Sequence, residues 1–140
     1  TPVDFFKKVN DFYNFNLDCC AEISTAKCDE YYTKEDDALG LEWCGVVWCN
    51  PPYGKEQIKF IEKAMNEVEI GNAETVIMLI PARTETKVWQ DLIFKKSTSI
   101  HFIKGRLKFG GSQHNAPFPS ALVVFGKCLG EMGIGKFFKV

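Results

Sequence analysis

The feature that most constrains the fold of this chain is an alternation between short apolar runs and longer segments of helical periodicity. The runs 45–49 and 75–80 are rich in β-branched residues, and the continuous apolar run 75–80 is typical of a strand covered on both faces of a sheet. Between them, the segment 57–68 places its apolar residues three and four positions apart, which predicts an amphipathic helix. Strand, helix and strand in this order indicate an α/β fold with a mostly parallel sheet.

The rest of the chain extends this pattern. Further helices are predicted over 3–13, near 34–39 and over 84–94 with Thr84 as its cap, and further strands over 15–21, 100–103 and 121–125. The last two strands have no helix between them, which favours an antiparallel edge. The expected fold is therefore α/β, with a mostly parallel sheet, an antiparallel edge strand and helices on both faces. No linker divides the 140 residues, so we expect one domain at 1–126 and a C-terminal extension, 127–140, to which no role is assigned.

Charge is divided unevenly along the chain. Residues 1–80 contain 7 Lys and Arg against 15 Asp and Glu, whereas residues 81–140 contain 10 against 3. The basic half can face phosphates, and the acidic half can face a cationic or hydroxyl-rich ligand, unless the fold intermixes the two halves. The hydrophobic fraction of 46% excludes a disordered tail. No apolar run approaches the roughly 20 residues of a membrane span, so no membrane association is expected.

The six cysteines form no CxxC pair, and the two histidines, His101 and His114, are distant in sequence from the cysteines at 19–49. This spacing argues against a zinc site, so no metal is expected. Buried free thiols in a reducing cytoplasm are the expected state of the cysteines.

The strongest local signal is Asn50-Pro51-Pro52-Tyr53, directly after the strand at 45–49. Two consecutive prolines fix φ and remove two N–H donors, so the segment leaves the sheet as a stiff loop. The Asn50 amide oxygen, the Pro51 carbonyl and the Tyr53 ring then offer two acceptors beside an aromatic face. That combination suits a planar group that bears an –NH₂. The alternative is a turn that merely ends the strand, with Tyr53 covering the core.

These four residues resemble the (D/N/S)-P-P-(Y/F) motif of S-adenosylmethionine-dependent methyltransferases that modify exocyclic or amide nitrogens. Further segments resemble, in the same order, the phage-type DNA N6-adenine methyltransferase (Dam) family. They are Thr1-Pro2, Leu17 to Ala21, Asp37 to Leu39 with Trp43, Trp48 to Gly54, Ile80 to Thr86, Gly105 to Phe109 and Ser120 to Phe125. The resemblance covers about residues 1–126 and implies a minimal Rossmann-like methyltransferase sheet.

The resemblance implies an enzyme that moves a methyl group from S-adenosylmethionine to N6 of an adenine in double-stranded DNA. Asn50, Pro51, Pro52 and Tyr53 would carry the reaction. Hydrogen bonds from the adenine amino group to Asn50 and Pro51 would stabilise positive charge developing on the nitrogen. Tyr53 would stack on the adenine, which must first be flipped out of the duplex.

The resemblance also implies two sets of binding residues. The cofactor-binding set is Thr1, Pro2, Phe5, Asp18, Cys19, Asp37 and Asn50, with Asp18 at the methionyl end of the cofactor and Asp37 at its adenine amino group. The chain lacks the G-x-G loop common among methyltransferases and has Cys19-Cys20-Ala21-Glu22 in its place. Alternatively, Asp18 is an ordinary cap beyond a strand, and Asp37 lies in a solvated acidic turn.

For contacts with DNA, the implied residues are Tyr53, Arg83, Thr84, Arg106 and Lys108. Basic residues beside aromatic ones are typical of phosphate contacts, although a solvated strand face remains the alternative. The polar loop 110–115 could close over the substrate or be a plain surface loop. Trp48 and Trp89 are predicted to be core residues.

Other activities share the same motif. An RNA adenine or a protein glutamine amide could be the acceptor, and a catalytically inactive nucleic-acid-binding module of the same fold is a further alternative. The expected protein is a monomer or homodimer of phage or prophage origin in a bacterial cytoplasm.

Overall fold

A computed structural model describes residues 2–108 and 116–140. Thr1 and residues 109–115, which include His114 and the loop predicted at 110–115, lie outside the described residues. The helices are α1 (Val3–Tyr13), α2 (Lys55–Glu69), a π-helix (Val88–Ile93) and α3 (Phe94–Lys96). Short 3₁₀ turns occupy Ile23–Thr25, Lys34–Asp36 and Ala38–Gly40. The strands are β1 (Leu17–Asp18), β2 (Glu30–Tyr31), β3 (Gly45–Cys49), β4 (Ala73–Pro81), β5 (Ser99–Ile103), β6 (Ser120–Gly126) and β7 (Gly135–Lys139).

The seven strands form a single sheet in the order β2-β1-β3-β4-β6-β5-β7. The pairings among β1, β2, β3 and β4 are parallel, whereas β6 pairs antiparallel with β4 and β5, and β7 pairs antiparallel with β5. The α/β class and the antiparallel pairing of the last two predicted strands are confirmed. The expectation of a mostly parallel sheet holds only for the side formed by β2, β1, β3 and β4. On the other side β6 lies between β4 and β5 and pairs antiparallel with both, so it is not an edge strand.

Helices cover both faces of the sheet, as expected. On one face α2 and the π-helix pack on the sheet through Ile61 and Ile93, and on the other α1 packs through Phe6 and Val9. Trp48 is 1% exposed and Trp89 is 2% exposed, which confirms both as core residues.

The strand predicted over 15–21 is only two residues long. Just before it, the Asn16 N–H donates to the Val46 carbonyl at 3.0 Å, and the Asn16 side chain makes the other bonds to the start of β3. The Asn16 Oδ1 accepts a hydrogen bond from the Val46 N–H at 2.6 Å, and its Nδ2 donates to the Cys44 carbonyl at 2.8 Å. Gly45 lies directly under Asn16 with φ 82°, where a Cβ would come within 2.3 Å of the Asn16 Oδ1. Glycine is therefore required at this start of β3.

The helix predicted over 84–94 begins later than expected, and the prediction that Thr84 caps it is wrong. Residues 84–86 form a turn instead, in which the Thr86 hydroxyl donates to the Arg83 carbonyl at 2.8 Å. The Gln90 amide donates to the Thr84 carbonyl at 2.6 Å, and the Trp89 Nε1 donates to the Pro81 carbonyl at 3.2 Å. These bonds hold the turn against the π-helix at the end of β4.

The segment 127–140, to which the sequence assigned no role, completes the sheet. It contains the edge strand β7, and Met132 within it is buried beneath α1. The Leu129 N–H donates to the Tyr13 hydroxyl at 3.0 Å, which ties this segment to the first helix.

Within the sheet, the strands of the two oppositely charged halves of the chain lie on opposite sides. Residues 1–80 supply β2, β1, β3 and nearly all of β4, and residues 81–140 supply β6, β5 and β7. The helices α1 and α2 of the first half, however, pack against residues of the second half such as Met132 and Val123. Within residues 2–108 and 116–140, no helix has the length and apolar character needed to cross a membrane.

Candidate active site

A cavity of about 740 Å³ lies where β1, β2 and β3 end. Because these three strands are parallel, their carboxyl ends meet at one edge of the sheet, which is where open α/β sheets bind ligands. The structure brings most of the predicted catalytic and cofactor-binding residues into this one cavity. Its lining includes Asp18, Cys19, Asp37, Asn50, Pro51, Pro52 and Tyr53.

Asn50 to Gly54 form a stiff corner between β3 and α2. Pro51 is buried in the wall of the cavity, whereas Tyr53 projects from it with 55% of its surface exposed. Gly54 has φ 87°, a conformation that favours glycine, and α2 begins at the next residue. The exposure of Tyr53 contradicts the alternative in which its ring covers the core.

Asp18 is a buried carboxylate at the end of β1. Its Oδ1 accepts a hydrogen bond from the Cys20 N–H at 3.3 Å, and its Oδ2 accepts one from the Lys27 N–H at 3.0 Å. Burial raises the pKa of Asp18, and these N–H donors and the charge of Lys27 oppose that effect. Asp18 thus closes the loop 18–27 at the cavity wall and in part acts as the cap that the alternative interpretation describes.

Asp37 lines the cavity because hydrogen bonds among the residues before it shape the acidic turn. The Asp36 carboxylate accepts hydrogen bonds from the Thr33 N–H at 2.8 Å and the Thr33 hydroxyl at 3.0 Å. The first of these bonds is one half of a capping box, in which the Thr33 side chain accepts in turn from the Asp36 N–H. Asp37 then takes a left-handed conformation with φ 54°, and the buried Trp43 donates to the Ala38 carbonyl at 2.9 Å. Asp37 is exposed, as in a solvated turn, but unlike Glu35 and Asp36 it lines the cavity.

Cys19 and Cys20 line the cavity at the place where the chain lacks a G-x-G loop. Cys19 and Cys49 are buried and hydrogen-bonded to each other, and burial raises the pKa of both. Burial also raises the pKa of Cys20 to about 12, with the charges of Asp18 and Glu56 adding to the effect. At neutral pH these groups are therefore neutral thiols. In the part of the chain that the structure describes, no group of three or more His, Cys, Asp or Glu side chains is placed to hold a metal ion.

A row of side chains continues outward from Tyr53. The Tyr53 and Phe118 rings meet edge to face, with centroids 5.2 Å apart and planes at 78°. The Arg83 guanidinium lies over the Phe118 ring, 5.9 Å from its centroid. Arg83 follows β4 and Phe118 precedes β6, so both belong to the same edge of the sheet as the cavity.

The remaining predicted residues do not line the cavity. Phe5 lies on α1 and packs against the core cluster that this helix covers, and neither Phe5 nor Pro2 lines the cavity. Arg106 and Lys108 are exposed beyond the end of β5, and the Arg106 Nη1 donates to the Ala116 carbonyl at 3.2 Å. Thr84 contributes its carbonyl to the turn described above, and Thr1 lies outside the described residues.

Several residues of the cavity wall were not predicted from the sequence. They are Glu22, Lys27, Thr33, Lys34, Glu56 and Phe60. Thr33 and Lys34 follow β2, a two-residue strand that leaves no periodic signal. Glu56 and Phe60 lie on the first two turns of α2, and the position of this helix directly after the proline corner could have pointed to them.

The amino-acid sequence of the chain is similar to those of known proteins. The profile of the DNA N-6-adenine-methyltransferase (Dam) family matches residues 1–129. The chain belongs to this family. Over 106 residues it is 31% identical to the DNA N-6-adenine-methyltransferase of Haemophilus phage HP1 (strain HP1c1), an alignment that covers 74% of this chain and 60% of the phage protein. It is also 38% identical over 61 residues to YfdM, named as a methyltransferase of Escherichia coli (strain K12), with 38% of this chain and 67% of YfdM covered.

The family resemblance predicted from the sequence is thus confirmed. This Dam-family chain spans 60% of the length of its phage relative. The matched residues 1–129 include the whole cavity lining and the row Tyr53–Phe118–Arg83, whereas β7 lies beyond them.

Proposed function

We propose that this protein transfers a methyl group from S-adenosylmethionine to N6 of an adenine that has been flipped out of DNA. One observation carries the proposal most directly: the proline corner at 50–53 forms one wall of a cavity at the carboxyl ends of parallel strands. This placement fits a Rossmann-like nucleotide site on the parallel side of the sheet. Membership of the Dam family supports the reaction and the acceptor.

The residues of the cavity suit S-adenosylmethionine. Its volume of about 740 Å³ falls in the usual range for sites that take ligands of this size. Asp18 offers a buried carboxylate for the methionyl ammonium, Cys19 borders that end, and Asp37 offers an acceptor for the adenine amino group. When bound, S-adenosylmethionine supplies an electrophilic methyl group carried on a sulfonium ion.

The charges of the cavity fit a cationic donor. The lining contains four acids, Asp18, Glu22, Asp37 and Glu56, but two bases, Lys27 and Lys34. A cavity in which acids predominate attracts a ligand with a sulfonium charge and repels free phosphates, which favours the donor over a nucleotide such as ATP.

The proline corner suits the acceptor nitrogen. Adenine N6 is a weak nucleophile because its lone pair is delocalised into the ring. The Asn50 oxygen and the Pro51 carbonyl would accept hydrogen bonds from the amino group, favour a tetrahedral nitrogen and stabilise the positive charge that develops on it. Pro52 stiffens the corner so that these acceptors are already oriented. No strong base is needed, because the methylated nitrogen is acidic and loses its proton afterwards.

Tyr53 and the basic half of the chain would bind the DNA. The exposed ring of Tyr53 can stack on a flipped base beside the corner. Arg83, with Thr84 in the same turn, follows β4, and Arg106 and Lys108 follow β5 on the basic side of the sheet. Cations placed along this side would contact the phosphates on either side of the flipped nucleotide.

Transfer of tritium from labelled S-adenosylmethionine into unmethylated DNA tests the proposal. The expected product, on digestion to nucleosides, is N6-methyl-2′-deoxyadenosine, and the Asn50→Ala variant should lose transfer even at saturating donor concentrations. Transfer only to RNA or to a glutamine-containing peptide would replace DNA as the acceptor. Binding of DNA without any donor binding would indicate the inactive module instead.

The phage origin of one relative agrees with the predicted phage or prophage origin of this chain.

A further inference from the structure

The strands of the basic half share one edge of the sheet with the cavity. The carboxyl end of β4 lies at that edge, because β4 is parallel to β3. β6 runs antiparallel to β4 and β5, so its start at Ser120 lies beside the ends of both. β7 runs antiparallel to β5 and begins at Gly135, opposite Ile103. The end of β5 and the start of β7 therefore lie at the same edge as the proline corner.

Exposed cations continue along this edge beyond Arg83. Lys104 and Arg106 follow β5, and Lys136 is the second residue of β7. All three are exposed, and none of them takes part in an ion pair within residues 2–108 and 116–140. Glu131 is the only acid in the sequence from residue 99 to residue 140. These cations are therefore available to an anion that arrives from solvent.

The backbone fixes Lys136 at this edge. A Cβ on Gly135 would lie 1.9 Å from the Phe102 carbonyl oxygen, so the start of β7 packs closely against β5. The Lys104 N–H donates to the Ile134 carbonyl at 3.1 Å, one residue before β7 begins. Lys104 and Lys136 are thus held on paired backbones at one end of the sheet.

The distance along the edge suits duplex DNA. Neighbouring strands lie about 4.8 Å apart, and β6 and β5 separate β4 from β7. Three such spacings place the start of β7 roughly 14 Å from the end of β4. Each strand of B-form DNA carries one phosphate for about every 3.4 Å of helix axis. Lys136 is therefore placed to meet a phosphate about four nucleotides from the one at Arg83.

From this arrangement we infer that β7 is a second DNA-binding element, in which Lys136, beside Lys104 at the end of β5, binds phosphates of the duplex that flanks the flipped adenine. The inference rests on the proposed function. It gives a role to a strand that lies beyond the family match at residues 1–129. Because phosphate contacts carry no sequence information directly, β7 adds affinity for DNA and not a choice of sequence.

The salt dependence of DNA binding tests this role, because each phosphate that a cation neutralises releases condensed counterions. The probe is an unmethylated duplex that the wild-type protein methylates. Its dissociation constant is measured by fluorescence anisotropy, with S-adenosylhomocysteine present, at salt concentrations from about 50 to 200 mM. In Lys136→Gln the slope of log affinity against log salt should become shallower by about 0.9. The affinity deficit of this variant should therefore grow about 3.5-fold from the highest salt to the lowest.

Lys139→Gln is the matched control. Lys139 is exposed on the same strand, but it pairs with Ser99 at the end of β7 remote from the cavity. Both variants lose one positive charge, so an effect of net charge alone appears in both. Lys139→Gln should keep the wild-type slope, and so should Lys136→Arg, which retains the cation.

Equal slopes for folded Lys136→Gln and Lys139→Gln would overturn the inference, while methylation of the same duplex by the wild-type protein leaves the proposed function intact. Thermal unfolding checks each variant. If Lys136→Gln does not fold, Lys104→Gln takes its place with the same expected change in slope. A wild-type protein that methylates no DNA would overturn the proposed function and the inference together.

Discussion

Replacing Tyr53 separates a role in binding the acceptor from a role in the fold. Tyr53→Ala removes the ring on which the base is proposed to stack. Such a contact is worth about 1–3 kcal/mol, and at about 1.4 kcal/mol for each factor of ten kcat/KM for DNA should fall about 5- to 150-fold. Because 55% of the residue is exposed, the fold loses little more than its contact with Phe118, worth about 0.5–1.5 kcal/mol. Each kcal/mol lowers Tm by about 2–8 °C in a domain of this size.

The assay is methyl transfer to DNA at varied DNA concentration, accompanied by calorimetric titration with the donor. Tyr53→Phe keeps the ring and should remain within a few-fold of the wild type. Phe12→Ala, which removes a ring that is 41% exposed on α1, controls for the loss of a surface aromatic residue and should leave kcat/KM unchanged. Wild-type kcat/KM in a folded Tyr53→Ala protein would refute the stacking argument.

Three further predictions follow from the buried polar groups. Asp18→Asn should weaken donor binding about 10- to 150-fold, the value of a hydrogen bond to a charged group, and calorimetry that shows unchanged affinity would contradict this. Burial lowers the pKa of His101, although the charge of Glu131 raises it somewhat, and neither ring nitrogen has a hydrogen-bond partner among residues 2–108 and 116–140. The folded state therefore holds the His101 proton more weakly than the unfolded state does. The free energy of unfolding is therefore undiminished above the unfolded pKa of 6.5 and decreases as pH falls below it, because the unfolded state then binds the proton more tightly. His101→Phe should reduce the difference in urea-unfolding free energy between pH 7.5 and pH 5.5. A variant that shows the same difference as the wild type would disprove this. Iodoacetamide at pH 7.5 should modify the exposed Cys44 before Cys20, whose pKa burial raises to about 12; mass mapping that finds Cys20 modified first would refute the burial argument.

Local periodicity was sufficient to predict the long elements. The helix 3–13 is predicted with the bounds that the structure shows, and the strand 45–49 is too, because in each the pattern of apolar residues and the packing agree. The proline corner was also predictable, since consecutive prolines after a strand restrict the backbone whatever surrounds them.

Elements that depend on distant partners were not predictable in this way. Beside the two-residue β1, the Asn16 side chain accepts a hydrogen bond from the Val46 N–H, thirty residues away. β7 contains one glycine and two lysines among its five residues, and it forms a strand only because it pairs with β5. Phe118 resembles any loop residue in the sequence, and only the approach of the segments after β3 and β4 reveals its place beside Tyr53 and Arg83.

The proposed acceptor corner and donor cavity must face each other if the account is correct. A crystal structure of the protein with S-adenosylhomocysteine locates the sulfur atom, which marks where the transferable methyl group would stand. We expect the ligand in the cavity between Asp18 and Asp37, with its sulfur directed at Asn50 and an open path from there to the Tyr53 ring. A ligand bound elsewhere on the protein, or a sulfur turned away from Asn50, would contradict the account.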